Sequence, residues 1–244
     1  MSNKQNIETF NTYFNKLDQY LEKVLDCIGE EKSFGYKTNE FIQKNKRFKF
    51  LEMDFSLIRE LRNLMIHKKI EEYPIIPSLN TCNKLINLYK KISKPPKWDS
   101  IAVSRAQIFK CTEEDSVSEV INEMSKNTYT HVPVVKNNIF QWLLSESVYM
   151  NWLNDLIKGE KEFDKKTKVS DLKKYAEKGN DTYSFLPDNT DVYAVQEKFE
   201  EKTNEVSRNT FRRLGVIFIT KGGTEKEEIL GLITAWDLGK IRNI

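Results

Sequence analysis

Apolar residues at Ile7, Phe10, Phe14, Leu17, Leu21, Val24 and Ile28 recur at alternating spacings of 3 and 4, which predicts a long amphipathic helix with one buried stripe. Gly29 ends it and Ser33 to Tyr36 reads as a turn. A shorter helix then runs from Thr38 to Lys46 with Thr38 near its cap. A third helix covers about Phe50 to Lys69, with Leu51, Phe55, Ile58, Leu61 and Met65 facing inward. Tyr73-Pro74-Ile75-Ile76-Pro77 interrupts the helical pattern, because proline donates nothing to a helix ladder. Ser78 caps a last helix, Leu79 to Ile92, and Lys94-Pro95-Pro96-Lys97 is a stiff extended segment that marks a domain boundary.

Beyond that boundary a pattern of short strands and helices occurs twice. The first copy runs from Thr112-Glu113-Glu114-Asp115-Ser116-Val117 through a helical face of Val117, Val120, Ile121 and Met124. Strands at Val132 to Val135 and Ile139 to Leu144 follow, joined across Asn137-Asn138, and a helix from Ser147 to Ile157 closes the copy. In the second copy Val192, Val195 and Phe199 make the helical face, Gly215 to Thr220 and Ile229 to Thr234 the strands, and a final helix starts near Ala235. Val192 answers Val117 at an offset of 75 residues and Thr234 answers Ser145 at 89. Polar insertions at Asn204 to Thr210 and Gly222 to Glu227 absorb the difference, as expected of loops in a duplicated fold.

With 244 residues, 39% hydrophobic and 31% charged, the chain is long enough for two cored domains and too apolar to be disordered. It has no run of about 18 apolar residues and no apolar leader after Met1, so the expectation is a cytoplasmic protein without a membrane partner. Cys27, Cys82 and Cys111 are widely spaced and form no C-x-x-C pair, which predicts buried free thiols and no metal site. Residues 1–97 hold 18 Lys and Arg against 12 Asp and Glu, net +6, whereas residues 98–244 are net −3. The N-terminal part is therefore the candidate for an anionic partner, although Lys44, Lys46, Arg47 and Lys49 equally fit a solvated face.

Within the third helix, Arg62-Asn63-Leu64-Met65-Ile66-His67 sets Asn63 and His67 four residues apart on one face, with Arg62 flanking them. An imidazole that titrates near neutrality and a guanidinium that grips phosphate suit phosphodiester cleavage without a metal. No paired acids, no nucleophile constellation and no glycine-rich phosphate loop accompany them, and Gly222-Gly223 is a hairpin signal. The segment resembles a HEPN domain (higher eukaryotes and prokaryotes nucleotide-binding) over about the first 92 residues. The resemblance implies a homodimeric, metal-independent ribonuclease in which His67 moves a proton, Arg62 stabilises the phosphorane and Asn63 orients the phosphate or His67. It equally implies a non-catalytic dimerisation or docking adaptor, in which Arg62 pairs with Glu52 or Glu60 and His67 caps the helix end.

At the end of the second copy, Thr234 closes a strand and Asp237 follows in the first turn of a helix. Helix N–H groups beside Thr234 favour a phosphate and Asp237 can accept from both hydroxyls of a ribose; a plain helix cap is the alternative. From Ser100 to Ile244 the chain resembles a tandem pair of CBS domains (named for cystathionine β-synthase), each a β-α-β-β-α unit. The resemblance implies clefts for an adenine nucleotide such as AMP or ATP, bound as a regulatory ligand and not as a required cofactor, with Thr234 and Asp237 at the phosphate and ribose. In the first copy Ser145 keeps the hydroxyl, but Val148 stands in the aspartate's place and Trp142 in that of the turn glycine, so one competent site per chain is expected. Arg212 and Arg213 are candidate phosphate partners or a solvated basic pair. The expectation is thus an α+β multidomain chain: a helical bundle at 1–93, then CBS units at 98–158 and 165–244 packed as a pair. Its reading is a nucleotide-sensing CBS-pair protein, with RNA cleavage or an adaptor role at the N-terminal part. A DNA-binding regulator is disfavoured, since no helix-turn-helix glycine turn or basic recognition helix is present.

Overall fold

Helix α1 (Asn3–Val24) begins at a reciprocal cap: Ser2 Oγ accepts from the Gln5 N–H at 3.3 Å and the Gln5 side chain accepts from the Ser2 N–H at 2.8 Å. The computed structural model describes residues 2–67, 75–159, 164, 166–176, 181–206 and 213–243. Phe10, Phe14, Leu17 and Leu21 are buried as the spacing predicts. The helix stops short of the predicted end, because Leu25 takes the C-cap and Asp26 turns to a φ of 54°. Leu25, four residues after Leu21, takes the buried position in place of Val24, and beyond the turn Cys27 goes inside while Ile28 is exposed.

Helix α2 (Phe34–Lys44) also differs from expectation, since Ser33 and not Thr38 is its cap, accepting from the Tyr36 N–H at 3.2 Å. Thr38 is buried within the helix and donates to the Gly35 carbonyl. A 3₁₀ turn (Lys46–Leu51) leads into α3 (Glu52–His67), which buries Phe55, Ile58 and Met65 but only partly covers Leu61. Residues 68–74, including Tyr73 and Pro74 of the predicted break, lie outside the described residues. Helix α4 (Leu79–Ser93) is capped by Ser78 as expected and buries Cys82, Leu85, Leu88 and Ile92. Together α1 to α4 form one unit, Met1–Pro96, with an aromatic core around Phe14, Phe34, Phe41 and Phe48.

One ionic contact in this unit yields a testable expectation. The Lys37 ammonium of α2, 3% exposed, meets Asp18 and the Glu22 carboxylate of α1, the latter at 2.9 Å. Burial opposes its charge, but the hydrogen bonds to the two carboxylates more than offset this and raise its pKa above the ordinary lysine value. A raised folded-state pKa means the contribution is complete below about pH 10 and is lost as pH climbs through the folded value. Lys37→Met is expected to lower the unfolding free energy by about 1–3 kcal/mol at pH 7. In urea unfolding followed by circular dichroism, the gap from wild type should shrink above about pH 10.

The second unit, Lys97–Ile244, is α+β. Its elements are β1 (Val103–Ser104), α5 (Val117–Asn127), β2 (His131–Lys136), β3 (Ile139–Ser145), α6 (Glu146–Ile157), a short α7 (Lys173–Ala176), β4 (Asp181–Pro187), α8 (Val192–Val206), β5 (Arg213–Thr220), β6 (Gly231–Thr234) and a 3₁₀ helix at Ala235–Asn243. Strands β2 and β3 form a hairpin across Asn137 and Asn138, whose φ of 53° and 63° suit a two-residue primed turn. The other sheet has the order β1-β6-β5-β4, with β4 parallel to β5 and the rest antiparallel. Because β1 precedes the first copy yet pairs with β6 at the end of the second, the two copies interlock. The last strand begins at Gly231, later than the predicted Ile229, and the closing element is 3₁₀ and not α.

One side of the hairpin, Val132, Val134, Trp142 and Leu144, packs with Val117, Val120 and Met124 of α5 and Val148 and Trp152 of α6. The other, Val135, Phe140 and Leu143, packs on Val216, Phe218, Ile229 and Leu232 of the second sheet region. The Phe140 ring sits 4.6 Å from Tyr183 and 5.1 Å from Phe218 between centroids. Along this seam the ends of strands from both copies come side by side.

Candidate nucleotide-binding site

Five strand ends open onto one cavity of about 570 Å³: His131 of β2, the end of β3 leading into Ser147, Asp181 of β4, Arg213 of β5 and Thr234 of β6. Strand register produces this grouping, since His131 lies opposite Ser145 and Asp181 opposite Arg213. A second cavity of about 440 Å³ adjoins it and is lined by Val103, Ile108, Phe109, Leu232 and Asp237. Thr130, His131, Thr234 and Trp236 border both. The first chamber is the more polar, holding Asp181, Glu146 and Arg213, and the second the more apolar, although Gln107, Asn127 and Asp237 also line it; the Thr234 strand end lies between them.

Asp237 takes two donors from Thr234, the backbone N–H at 2.8 Å and the hydroxyl at 2.9 Å, and a third from the Lys240 ammonium at 2.8 Å. Lys240 is itself anchored on the Ile101 carbonyl at 2.9 Å. These bonds are a helix cap, yet a carboxylate offers about four lone-pair sites, so a further hydroxyl can still be accepted. Trp236 stands 87% exposed between these two residues at the rim.

On the polar side, Ser145 is buried, and its hydroxyl is bonded to Ser147 at 2.9 Å and also supports Asp181. Ser147 donates to Asp181 Oδ2 at 2.9 Å, and Arg213 Nε donates to Asp181 Oδ1 at 3.2 Å. Burial tends to raise the Asp181 pKa, but these hydrogen bonds and the neighbouring His131 bring it below the usual aspartate value, so it is ionised at neutral pH. Burial lowers the pKa of His131 despite Asp181 and Glu146, so the ring is neutral at pH 7. Gly215 makes this arrangement feasible, because a Cβ there would lie 2.3 Å from His131 Nε2. Arg212 lies outside the described residues. Sequence reasoning missed Asp181, Ser147 and His131; nothing in the repeat pattern marks them.

The counterpart cleft in the first copy, about 440 Å³, is lined by Trp142, Leu143, Val148, Lys173 and Asp181. Trp142 is nearly buried, its indole N–H donating to Glu113 at 3.0 Å, and Val148 is 2% exposed. This cleft has an indole and an isopropyl group where the other has Gly231 and Asp237.

In the helical unit, the Arg62 guanidinium lies 5.2 Å from the Phe14 ring centroid and its side chain is half-buried. Asn63 is exposed, and the His67 side chain lies outside the described residues. Five helical steps separate Arg62 from His67, a rotation of about 140°, so α3 alone does not bring both to one face. Among the described residues no group of His, Cys, Asp and Glu is placed to hold a metal ion, and no helix is long and apolar enough to cross a membrane. All three cysteines are buried free thiols.

The family model for the CBS domain matches residues 100–140, which run from the end of the Trp98–Ser100 turn into β3. Similar solved structures include CBSX2 in complex with AMP, at 13% identity and a TM-score of 0.44, covering 61% of this chain and 96% of that one. CbpB in complex with c-di-AMP is similar at 13% identity and a TM-score of 0.44, over 64% and 89%. A CBS domain protein from Streptococcus pneumoniae TIGR4 is similar at 14% identity and a TM-score of 0.43, over 59% and 81%. A search of curated proteins found no match.

Proposed function

We propose that residues 98–158 and 165–244 are a tandem CBS pair that binds one adenine nucleotide per chain at Thr234 and Asp237, and that the helical unit at 1–93 is its output domain. The observation that carries this reading is the position of Thr234 between an apolar chamber beside Asp237 and a polar chamber holding Arg213. The base lies in the apolar chamber against Ile108 and Leu232, and the ribose hydroxyls donate to Asp237. The first phosphate meets Thr234, the N-terminus of the Ala235–Asn243 helix and Arg213. Isothermal titration of the full chain with AMP and with ATP is the test: saturable heat with one site per chain supports the reading, and no heat from either ends it.

For the helical unit we infer a homodimeric, metal-independent ribonuclease using Arg62, Asn63 and His67. Support comes from the exposed Asn63 and from Met53, Leu57 and Leu64, exposed apolar residues on one side of α3 that a second copy would cover. The Arg62 contact with Phe14 favours the alternative, a non-catalytic adaptor whose arginine is structural. Labelled structured RNA incubated in EDTA with wild type and with the Arg62→Ala, His67→Ala double variant separates the two. Cleavage by wild type alone is expected, and any effect of AMP on its rate would tie the two units together. Intact RNA in both samples, with folded protein that binds AMP, leaves the adaptor.

A further inference from the structure

The polar chamber beside Thr234 is not built like a plain phosphate cradle. Arg213 is the cation among the described residues that line it, and it is already engaged by a carboxylate, that of Asp181. Asp181 is 6% exposed and fixed on its other oxygen by Ser147, with His131 Nε2 4.0 Å away. Glu146, the first residue of α6, adds a second carboxylate to the same lining. With His131 neutral, Asp181 and Glu146 outnumber Arg213, and the fixed charge of the described lining residues is −1.

Resting on the proposed nucleotide site, we propose that Asp181 is a specificity residue that restricts the site to adenine nucleotides with a single phosphate. The first phosphate is held at the Thr234 strand end. Each further phosphate extends into the chamber and adds about one negative charge opposite Asp181 and Glu146. Arg213 cannot cancel this without cost. Its single charge is already shared between Asp181, held through Nε, and the first phosphate; if it swings outward to a further phosphate, Asp181 is left buried and ionised with the Ser145 and Ser147 hydroxyls beside it. Two unit charges about 7 Å apart at an effective dielectric of about 20 correspond to roughly fiftyfold in affinity, and solvent at the open mouth reduces this to about tenfold.

The test is titration of the full chain in EDTA with adenosine, AMP, ADP and ATP, for wild type and Asp181→Asn. Asparagine keeps the shape and an acceptor for Arg213 but removes the charge. Wild type is expected to bind AMP about tenfold or more tighter than ATP, with ADP between them. Asp181→Asn should narrow that ratio by about threefold or more and leave adenosine within about twofold. ATP binding wild type as tightly as AMP, or an unchanged ratio in Asp181→Asn, overturns the role of Asp181 while the nucleotide site stands. No binding by any of the four removes the nucleotide site and this inference with it. Should Asp181→Asn not fold, Asp181→Ser, which also removes the charge, takes its place in the same series.

Discussion

Phe140→Ala is expected to lower the unfolding free energy of the second unit by about 3–5 kcal/mol. The ring is 5% exposed and touches Tyr183, Phe185 and Phe218 at centroid distances of 4.6, 5.3 and 5.1 Å. Its loss removes the transfer free energy of an aromatic side chain and opens a cavity, because Val216 and Phe218 are held in strand register and cannot close over the gap. Edge-to-face contacts with Tyr183 and Phe185 add roughly 0.5–1.5 kcal/mol each beyond burial. All 4 tryptophans lie beyond Pro96, so urea unfolding followed by indole fluorescence reports on this unit alone. An unchanged midpoint would mean that the two sheets are held by something other than this cluster. Since the chambers on either side of Thr234 are bounded by the same two sheets, the variant should also weaken nucleotide binding, even though Phe140 lines neither.

Much of the fold is legible in the chain because local signals and global packing agree there. The Asn137-Asn138 turn fixes the register of the hairpin, and Val117, Val120 and Met124 are buried as their spacing requires. Helix ends are harder, because apolar periodicity reports the buried stripe and not the cap: Ser33 caps α2 five residues before the buried Thr38, and the Asp26 turn transfers burial from Ile28 to Cys27. At the site, Thr234 and Asp237 were readable because they are three residues apart and interact locally. Asp181, His131 and Arg213 come from three strands and meet only through the parallel pairing of β4 with β5 and the close approach that Gly215 permits. No spacing rule in one sequence encodes that meeting. In the helical unit Arg62 and His67 are close in sequence, yet five helical steps turn the two positions about 140° apart around α3, and Arg62 packs on Phe14.

Asp237→Ala is expected to weaken AMP binding by about 100-fold, the equivalent of one to two lost hydrogen bonds to a charged acceptor. The same carboxylate accepts from the Thr234 N–H and hydroxyl and from Lys240, so the alanine variant also loses a helix cap. That loss contributes about 1 kcal/mol of stability and must be separated from binding. Asp237→Asn does so. Its amide oxygen can still accept from the Thr234 N–H, so stability should stay near wild type, whereas a ribose hydroxyl meets a neutral and weaker acceptor and AMP affinity should fall by about tenfold. Calorimetric titration gives the affinities, and thermal unfolding with and without AMP gives an independent check, because a ligand stabilises only the state that binds it. If both variants lose stability to the extent expected of a cap and bind AMP as wild type does, Asp237 serves the helix end alone and the ribose lies elsewhere. If affinity falls in the order wild type, asparagine, alanine while Asp237→Asn keeps its melting temperature, one carboxylate performs both tasks. The cap then holds Asp237 in the geometry that the ribose requires.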